Sequence, residues 1–368
     1  MLIWDKGTRI FHWMLVLLVV GDALTGWMAP KWMLNWHVAF GAGIGMLLIW
    51  RIVWGVYGPG PSRFENFIRS PAAVLGHLRS VASGHPRWHA GHNPAGGWMI
   101  VALLITLTLI LITGLIALAG EEKQGILAGW ISYGVGHLCK EIHEGLVTLL
   151  FVLIPTHIAG VILESLLERE NLIRSMITGK KRLTAIQTLP ELQQAKPVHA
   201  LIWNSGIALL LWVGYLGLGE HPAPLGHAPW SASAAGYAKA CGECHWSFHP
   251  SLLPESSWQT MISTLDNHFG ENASLSEDVR RQMDDLLRTN AAHAWDTKAA
   301  NQLRRVSKEE PMRITAAPYW LKKHRHIPAD SYASKSIGSK SNCPACHQDA
   351  ESGHFTPQAI RNPKEKIA

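Results

Sequence analysis

Cys241-Gly242-Glu243-Cys244-His245 and Cys343-Pro344-Ala345-Cys346-His347 are two copies of one pattern, Cys-x-x-Cys-His. At this spacing the two thiols can bond covalently to the vinyl groups of one porphyrin. The histidine that follows directly then has its imidazole at the iron, on the same face. The pattern therefore predicts two covalently attached c-type haems. The predicted attachment and axial residues are Cys241, Cys244 and His245 for one haem, and Cys343, Cys346 and His347 for the other.

Other readings of the cysteines exist. Two Cys-x-x-Cys pairs also have the spacing of a Cys₄ zinc site, and disulfides are a weaker alternative. Zinc does not require a histidine directly after each pair, so the pattern favours haem c. The fifth cysteine, Cys139, belongs to neither motif and is interpreted as a small buried apolar residue.

The first 219 residues are strongly apolar. The chain has 368 residues, of which 48% are hydrophobic and 16% are charged, a composition that suggests about two domains and a membrane protein. Asn93-Pro94 has the form of an N-cap followed by proline at the first helical position. Five apolar stretches are long enough to cross a bilayer: 10–28, 36–55, 96–118, 143–165 and 199–218.

Charge predicts the orientation of these helices. The net charge is +6, and the excess of Lys and Arg lies in the apolar half, so nucleic acid is not an expected partner. About thirteen Lys and Arg residues lie in the N-terminus, 51–95 and 166–197, against three (Lys31, Lys123, Lys140) in the alternate connections. We therefore expect a bacterial inner (cytoplasmic) membrane protein with five spans, a cytoplasmic N-terminus and a periplasmic C-terminal region. Attachment of c-type haem outside the cytoplasmic membrane agrees with that orientation.

The expected fold class is all-α, with a transmembrane four-helix bundle, a fifth membrane helix and a loop-rich, mainly helical C-terminal domain. The expected boundaries are 1–185, 186–228 and 229–368, with a Pro/Gly linker at 220–228. In the C-terminal domain we predict helices at about 256–268 and from Ser276 onwards. The second has Val279, Met283, Leu286 and Leu287 on one face.

Four histidines lie within the predicted spans, where ionisable residues suggest function. His143 and His157 are fourteen residues apart, which places them within about 40° of one helix face and about 21 Å apart along the axis. One helix can then serve two sites at different depths. The topology predicts the pairs His12–His157 for an inner haem b and His37–His143 for an outer one. A single histidine is also compatible with an interhelical hydrogen bond.

Residues 1–185 resemble the bacterial cytochrome b561 family, which includes the b-type subunit of nickel–iron hydrogenases. The resemblance implies a four-helix bundle with two b-haems, whose ligands fall on the four histidines above. The motifs that carry it are Trp4-Asp5, Thr8-Arg9-x-Phe11-His12-Trp13, His37-x-x-x-Gly41, Arg51-x-x-Trp54-Gly55, Gly91-His92-Asn93-Pro94, His143-Glu144, His157 and Met176-Ile177-x-Gly179-Lys180.

Residues 236–365 resemble a dihaem cytochrome c domain. The motifs are Cys241–His245, Leu252-Leu253-Pro254, His268-Phe269-Gly270, Arg313-Ile314-Thr315 and Ser341-Asn342-Cys343. Partly through this resemblance, we choose His268 and His324 as the second axial ligands, without assigning either to a particular haem. The competitors are Met261, Met283, Met312, His293 and His326. Structural roles are expected for His92 and His249. Asp22 is either a proton relay or part of a solvated helix end.

These features predict transmembrane electron transfer between the quinone pool and a periplasmic redox partner, through two haem b and two haem c. Membrane lipid and quinone/quinol are the expected small-molecule partners. One alternative is a membrane anchor and relay subunit of a larger oxidoreductase, such as a hydrogenase. Another is a small-molecule oxidoreductase of the superoxide type. The direction of electron flow and the quinone site cannot be predicted from these motifs.

Overall fold

The structure is a computed structural model that describes residues 2–28, 33–84, 89, 91–181, 195–219 and 230–361. Over this part the regular structure is helical, and extended pairing is limited to isolated bridges such as His268–Glu271. The all-α fold class is confirmed.

Four helices of the described part are long and apolar enough to span a membrane. The first, α1, continues into a wider π-helical turn at Leu24–Met28. Short helices α3 (Phe64–Phe67) and α4 (Pro71–Ala82) follow the second span, and α7 (Leu172–Thr178) follows the fourth. The spanning helices are α1 (Lys6–Ala23), α2 (Leu34–Tyr57), α5 (Pro94–Glu121) and α6 (Tyr133–Leu167).

Side-chain caps fix where two of these helices begin. Asp5 Oδ1 accepts a hydrogen bond from the Thr8 N–H at 3.0 Å, and Asn93 Oδ1 accepts one from the Gly96 N–H at 2.6 Å. α5 begins at Pro94, as the Asn93-Pro94 pair predicts. Capping satisfies N–H groups that have no partner within the helix.

The predicted fifth span coincides with α8 (Pro197–Gly219), which is not among the four spanning helices found in the described residues. The number of spans and their orientation remain predictions. The linker at 220–228, together with Lys31, Arg87 and Arg182, lies outside the described residues.

The chain divides into two compact units. The first comprises residues 1–115 and 139–218, and the second comprises 116–138 and 219–368. The connection between α5 and α6 therefore groups with the C-terminal region. The predicted domain boundaries remain a prediction.

The core of the first unit is an apolar layer between α2, α5 and α6. Two glycines of α2 allow neighbouring helices to approach: a Cβ on Gly43 would lie 3.0 Å from Leu18, and one on Gly45 would lie 2.9 Å from Leu111. The buried residues of this layer are Ile44, Leu48, Leu107, Ile110 and Leu150.

The second unit is built from short helices around one core. Met283 and Leu287 are buried in it, and Val279 and Leu286 pack against it, as the predicted helix face requires. Ser276 is the N-cap residue of that helix, although its side chain makes no capping hydrogen bond. The helices are α9 (Trp230–Cys241), α10 (Glu255–Ser263), α11 (Glu277–Thr289), α12 (Lys298–Leu303), α13 (Pro318–His324) and α14 (Ala329–Tyr332).

A buried ion cluster joins the α5–α6 connection to α12 within the second unit. Lys298 Nζ lies 2.6 Å from Glu121 Oε1 and also contacts the Glu122 carboxylate. Burial lowers the pKa of Lys298, but the two carboxylates outweigh that effect and raise the pKa above its usual value. Nearby, Tyr133 Oη accepts a hydrogen bond from Gln302 Nε2 at 2.6 Å.

We expect Lys298→Met to destabilise the second unit by about 3–5 kcal/mol, because removing one member of a buried ion cluster leaves the carboxylates without a counter-charge. The measurement is the unfolding midpoint of the full chain in detergent. Arg280→Met is the control, since Arg280 forms a surface pair with Glu277 and should change the midpoint little. Equal midpoints for both variants would contradict this prediction.

Candidate haem-ligand sites

His37 and His143, the predicted outer pair, lie close together in the first unit. The His37 and His143 rings have centroids 6.2 Å apart and planes inclined at 82°. His37 lies in the first turns of α2, and His143 lies ten residues into α6. Both residues are partly buried.

Each outer imidazole is held through Nδ1. His143 Nδ1 donates to the Ile110 carbonyl at 2.9 Å, and His37 Nδ1 donates to the Asp22 carbonyl at 3.1 Å. Asp22 Oδ1 also lies 3.1 Å from His37 Nδ1. When Nδ1 carries the proton and donates it, Nε2 is left as the ligand atom.

Two glycines leave room for these rings. A Cβ on Gly26 would lie 2.8 Å from His37 Cε1, and one on Gly114 would lie 3.1 Å from His143 Cε1. Gly26 belongs to the π-helical turn that ends the first span, a conformation that often marks functional sites. A Cβ on Gly26 would therefore force a rearrangement, and one on Gly114 would require the His143 ring to shift by a few tenths of an ångström.

The predicted inner pair is His12 on α1 and His157 on α6. The two imidazoles are near enough to interact electrostatically. His12 Nδ1 is buried and has no hydrogen-bond partner among the described residues. His12 therefore lacks the hydrogen bond from Nδ1 to a backbone carbonyl that His37 and His143 make.

His92 lies close to this inner pair but is held by aromatic rings, 4.6 Å from Trp4 and 4.9 Å from Phe67 between centroids. Burial and the nearby cations Arg51 and Lys181, followed by His157 and His12, lower the pKa of His92 to about 3. A neutral imidazole in an aromatic cage fits the structural role expected for it.

In the second unit each Cys-x-x-Cys-His histidine has one partner imidazole. The His245 and His268 centroids are 6.0 Å apart with planes inclined at 29°, and the His324 and His347 centroids are 6.2 Å apart at 67°. The sequence analysis predicts His268 and His324 without matching them to a motif. In the structure His268 lies beside His245, and His324 lies beside His347. His245 Nδ1 donates to the Trp246 carbonyl at 2.8 Å, and His324 Nδ1 donates to the Trp320 carbonyl at 2.9 Å.

The environment lowers the pKa of three of these imidazoles, which favours the neutral form that binds a metal. Burial lowers the pKa of His268, with a further contribution from His245. Burial also lowers the pKa of His324, against the hydrogen bond to Trp320. Burial and His324 lower the pKa of His347, against the opposing charge of Asp349.

Two phenylalanines beside these pairs adopt a backbone conformation that is unusual for a bulky residue. Phe269 has φ 55° and Phe355 has φ 54°, both in the left-handed region. Their rings lie 4.9 Å from His268 and 5.1 Å from His347, respectively. Backbone strain of this kind persists where surrounding contacts impose it, often at functional sites.

The competing ligands are engaged elsewhere. Met283 is buried in the core, Met261 packs against that core, and the Met312 sulfur accepts a hydrogen bond from Thr264. His293 is exposed, and His326 Nε2 accepts a hydrogen bond from Arg325.

His249 is buried and lies just before a short turn rather than within an α-helix. It is the N-cap of a short 3₁₀ turn, and its Nδ1 lies 2.8 Å from Ser251 Oγ. Burial, followed by the charge of His354, lowers the pKa of His249 to about 4. These contacts fit a structural role.

The imidazole spacings fit a metal ion with two axial histidines. Two rings on opposite faces of one ion have centres about 6.3–6.5 Å apart, from a metal–imidazole bond of about 2.0–2.1 Å (the zinc value) and about 1.15 Å from ring centre to nitrogen. The three observed separations of 6.0–6.2 Å are slightly shorter than this range.

The cysteines do not form the alternative arrangements. All five are unbonded, and the described residues contain no group of three or more His, Cys, Asp or Glu side chains placed to hold a metal ion. Burial raises the pKa of Cys241 to about 11 and that of Cys343 to about 12, with a smaller contribution from Cys346 to the latter.

Comparisons with known proteins match both halves of the chain. The family model of prokaryotic cytochrome b561 matches residues 3–179, and that of dihaem cytochrome c matches residues 237–355. The chain joins a cytochrome b561 domain to a dihaem cytochrome c domain. Both expected resemblances are thereby confirmed, and the two domains imply haem b and haem c.

Among curated proteins, the b561 domain is similar to a probable Ni/Fe-hydrogenase B-type cytochrome subunit of Bradyrhizobium diazoefficiens. The identity is 24% over 214 residues, covering 49% of this chain and 85% of that protein. The dihaem domain is similar to dihaem cytochromes c of known structure. One from Shewanella baltica has 32% identity, a TM-score of 0.29, and coverage of 35% of this chain and 92% of that one. One from Rhodobacter sphaeroides has 36% identity, a TM-score of 0.29, and coverage of 33% and 95%.

Several residues that shape the outer site of the b561 domain are missing from the sequence-based prediction. The Ile110 carbonyl, Gly26 and Gly114 carry no motif signal, although a glycine within the apolar α5 stretch marks a position of close approach. Asp22 is identified as a possible proton relay, whereas the structure places it against His37.

Gly114→Val in the b561 domain is expected to displace His143 and reduce haem b towards half, with haem c unchanged, because the added carbons occupy the ring's position. The measurement is the haem b to haem c ratio by pyridine haemochrome. Gly145→Val is the control on α6, since a Cβ there meets no atom within 4 Å. A normal ratio in Gly114→Val would refute the role of this close contact.

His268→Ala and His324→Ala in the dihaem domain should each convert one c-haem to a high-spin form that binds carbon monoxide when reduced. Covalent attachment through cysteine should persist. Optical and electron paramagnetic resonance spectra measure both changes, and the exposed His293→Ala serves as control. Low-spin spectra in all three variants would exclude His268 and His324 as ligands.

Proposed function

We propose that this protein transfers electrons across the bacterial inner membrane, between the quinone pool and a periplasmic redox partner, through two b-haems and two c-haems. The proposal is carried by the three histidine pairs at one-metal spacing, together with a fourth pair, His12–His157, whose second member lies on the same helix as His143. Haem iron supplies the one-electron chemistry, and the protein supplies position and environment.

The proposed ligand sets are His37 with His143, His12 with His157, His245 with His268, and His347 with His324. A single helix, α6, supplies one ligand to each b-haem and so fixes their separation along the membrane normal at about 21 Å of helix rise. Leu150, a buried member of the apolar layer, lies between these two ligands on α6.

Two axial histidines, and the hydrogen bonds that they donate, lower the reduction potential of a haem. A second histidine lowers the reduction potential relative to methionine. Backbone carbonyls that accept from Nδ1 make the imidazole a stronger donor to ferric iron. Three of the four sites contain at least one such anchored imidazole, which suits exchange with a quinone rather than with a high-potential acceptor.

A second candidate is an anchor and relay subunit of a multi-subunit oxidoreductase, favoured by the similarity to the hydrogenase cytochrome subunit. In that case a stoichiometric catalytic subunit should remain bound during purification. The dihaem domain supports direct transfer to a partner, because it offers a relay of its own. A superoxide-type activity requires an open coordination position or direct access of the substrate to a haem, and carbon monoxide binding to the reduced protein would favour it.

We expect His143→Ala to remove one b-haem, to leave both c-haems in place and to slow haem c reduction by added quinol at least tenfold. The reason is that the proposed route then lacks its outer membrane step. Stopped-flow spectra of the purified full chain measure the rate, and pyridine haemochrome measures haem. The control is His137→Ala, a histidine of the same helix that contacts Glu121 and belongs to no pair.

The unaltered protein should contain two b-haems and two c-haems. An absence of haem b would reduce the protein to a membrane-anchored cytochrome c. Unchanged haem content in His143→Ala would remove the proposed outer ligand set. Full haem with no reduction of haem c by quinol would instead favour the subunit role.

A further inference from the structure

Arg51 on α2 is a buried cation without a full set of partners. The residue is only 3% exposed, and its Nη1 makes no hydrogen bond among the described residues. The guanidinium carbon lies 4.8 Å from the centre of the Phe64 ring and 5.8 Å from that of Phe67. Aromatic faces offset part of the cost of burying a charge, but they do not accept a bidentate hydrogen bond.

The acid that interacts most strongly with Arg51 is already engaged. Asp5 attracts the guanidinium electrostatically, but no carboxylate of the described residues lies within ion-pair distance of Arg51. The two oxygens of Asp5 accept from the Thr8 N–H, the Thr8 hydroxyl and the Ser62 hydroxyl at 2.7–3.0 Å. A buried guanidinium that lacks a hydrogen-bonded anion is strongly unfavourable, so the site requires one.

Further donors accompany Arg51. Trp54 Nε1, one turn along α2, and Arg9 Nε on α1 are buried and have no acceptor among the described residues. Arg9 Nη1, by contrast, donates to the Ile177 carbonyl at 2.6 Å. Buried N–H groups are nearly always paired, so several unpaired donors on adjacent helices point to a missing acceptor.

This group of donors lies beside the inner histidine pair. The Phe11 and Trp50 rings stack at 5.7 Å, and a Cβ on Gly7 would lie 3.1 Å from Trp50, so Arg51 lies on the N-terminal side of His12 along α1. His92 interacts electrostatically with Arg51 and also with His12 and His157.

A b-type haem carries two propionate carboxylates on one edge of an apolar ring, and a planar guanidinium binds a carboxylate through two parallel hydrogen bonds. We propose that Arg51 binds a propionate of the haem held by His12 and His157, with Trp54 as an additional donor. This assignment rests on the proposed inner haem site. It orients that haem with its propionate edge towards the N-terminal end of α1 and the C-terminal end of α2.

The experiment compares Arg51→Gln and Arg51→Lys with Arg79→Gln in the full chain. Arg79 is an exposed arginine on α4 and serves as the matched control. Haem b per haem c, redox titration of the two b components and the propionate bending bands in resonance Raman spectra are measured. Haem c content reports correct assembly in every variant.

In Arg51→Gln we expect either loss of up to half of the haem b or, where haem is retained, a lower midpoint potential for one b component only. Loss of the positive charge stabilises ferric haem, and the propionate band should shift. Arg51→Lys should retain more haem b because it keeps the charge, but should still shift the band because ammonium does not reproduce the bidentate geometry.

Unchanged haem b content, potentials and Raman bands in both Arg51 variants would overturn the assignment. A raised KM for quinol with unchanged haem spectra would do so as well, because Arg51 would then belong to a quinone site. Failure of the inner haem site itself gives a different result: His157→Ala would leave the haem b content of the otherwise unaltered protein intact.

Discussion

The structure depends on imidazoles that face one another across a gap sized for a single metal ion. Three such gaps of 6.0–6.2 Å occur, one between membrane helices and two in the dihaem domain. Two polar rings held at this distance lose packing contacts and hydrogen bonds with each other. Backbone carbonyls accept hydrogen bonds from several of these rings, and glycines make room for His37 and His143. The same device serves in apolar and aqueous surroundings because it depends on local anchoring of Nδ1 rather than on the solvent.

Several ligand positions and helix starts could be predicted, because covalent and helical geometry require fixed spacings between residues in the sequence. The Cys-x-x-Cys-His spacing reflects a bonding requirement, and the fourteen-residue separation of His143 and His157 predicts that both lie near one helix face. The caps at Asn93 and Ser276 mark helix starts. By contrast, the pairing of His268 with His245 depends on a reversal at 268–271 and on tertiary packing, which leave no period in the sequence.

The sequence does not reveal how backbone carbonyls and glycines shape the site around His143. The Ile110 carbonyl has no residue-specific signal, since any residue supplies one. Gly114 is informative only once its neighbour is known to be His143. Asp22 shows the complementary difficulty: an acid in a membrane helix signals function, but the sequence does not show that its carboxylate lies 3.1 Å from His37 Nδ1.

The continuity of α6 between its two histidines constrains how this domain can vary. Because α6 runs unbroken from Tyr133 to Leu167 with Pro155 inside it, a single residue inserted between His143 and His157 would rotate one imidazole away by about 100°. Such an insertion would therefore separate the two ligand positions from a common helix face, whereas a substitution at an exposed position of this stretch would not. We expect the number of residues between His143 and His157 to be constant, with insertions and deletions confined to the connections before and after α6.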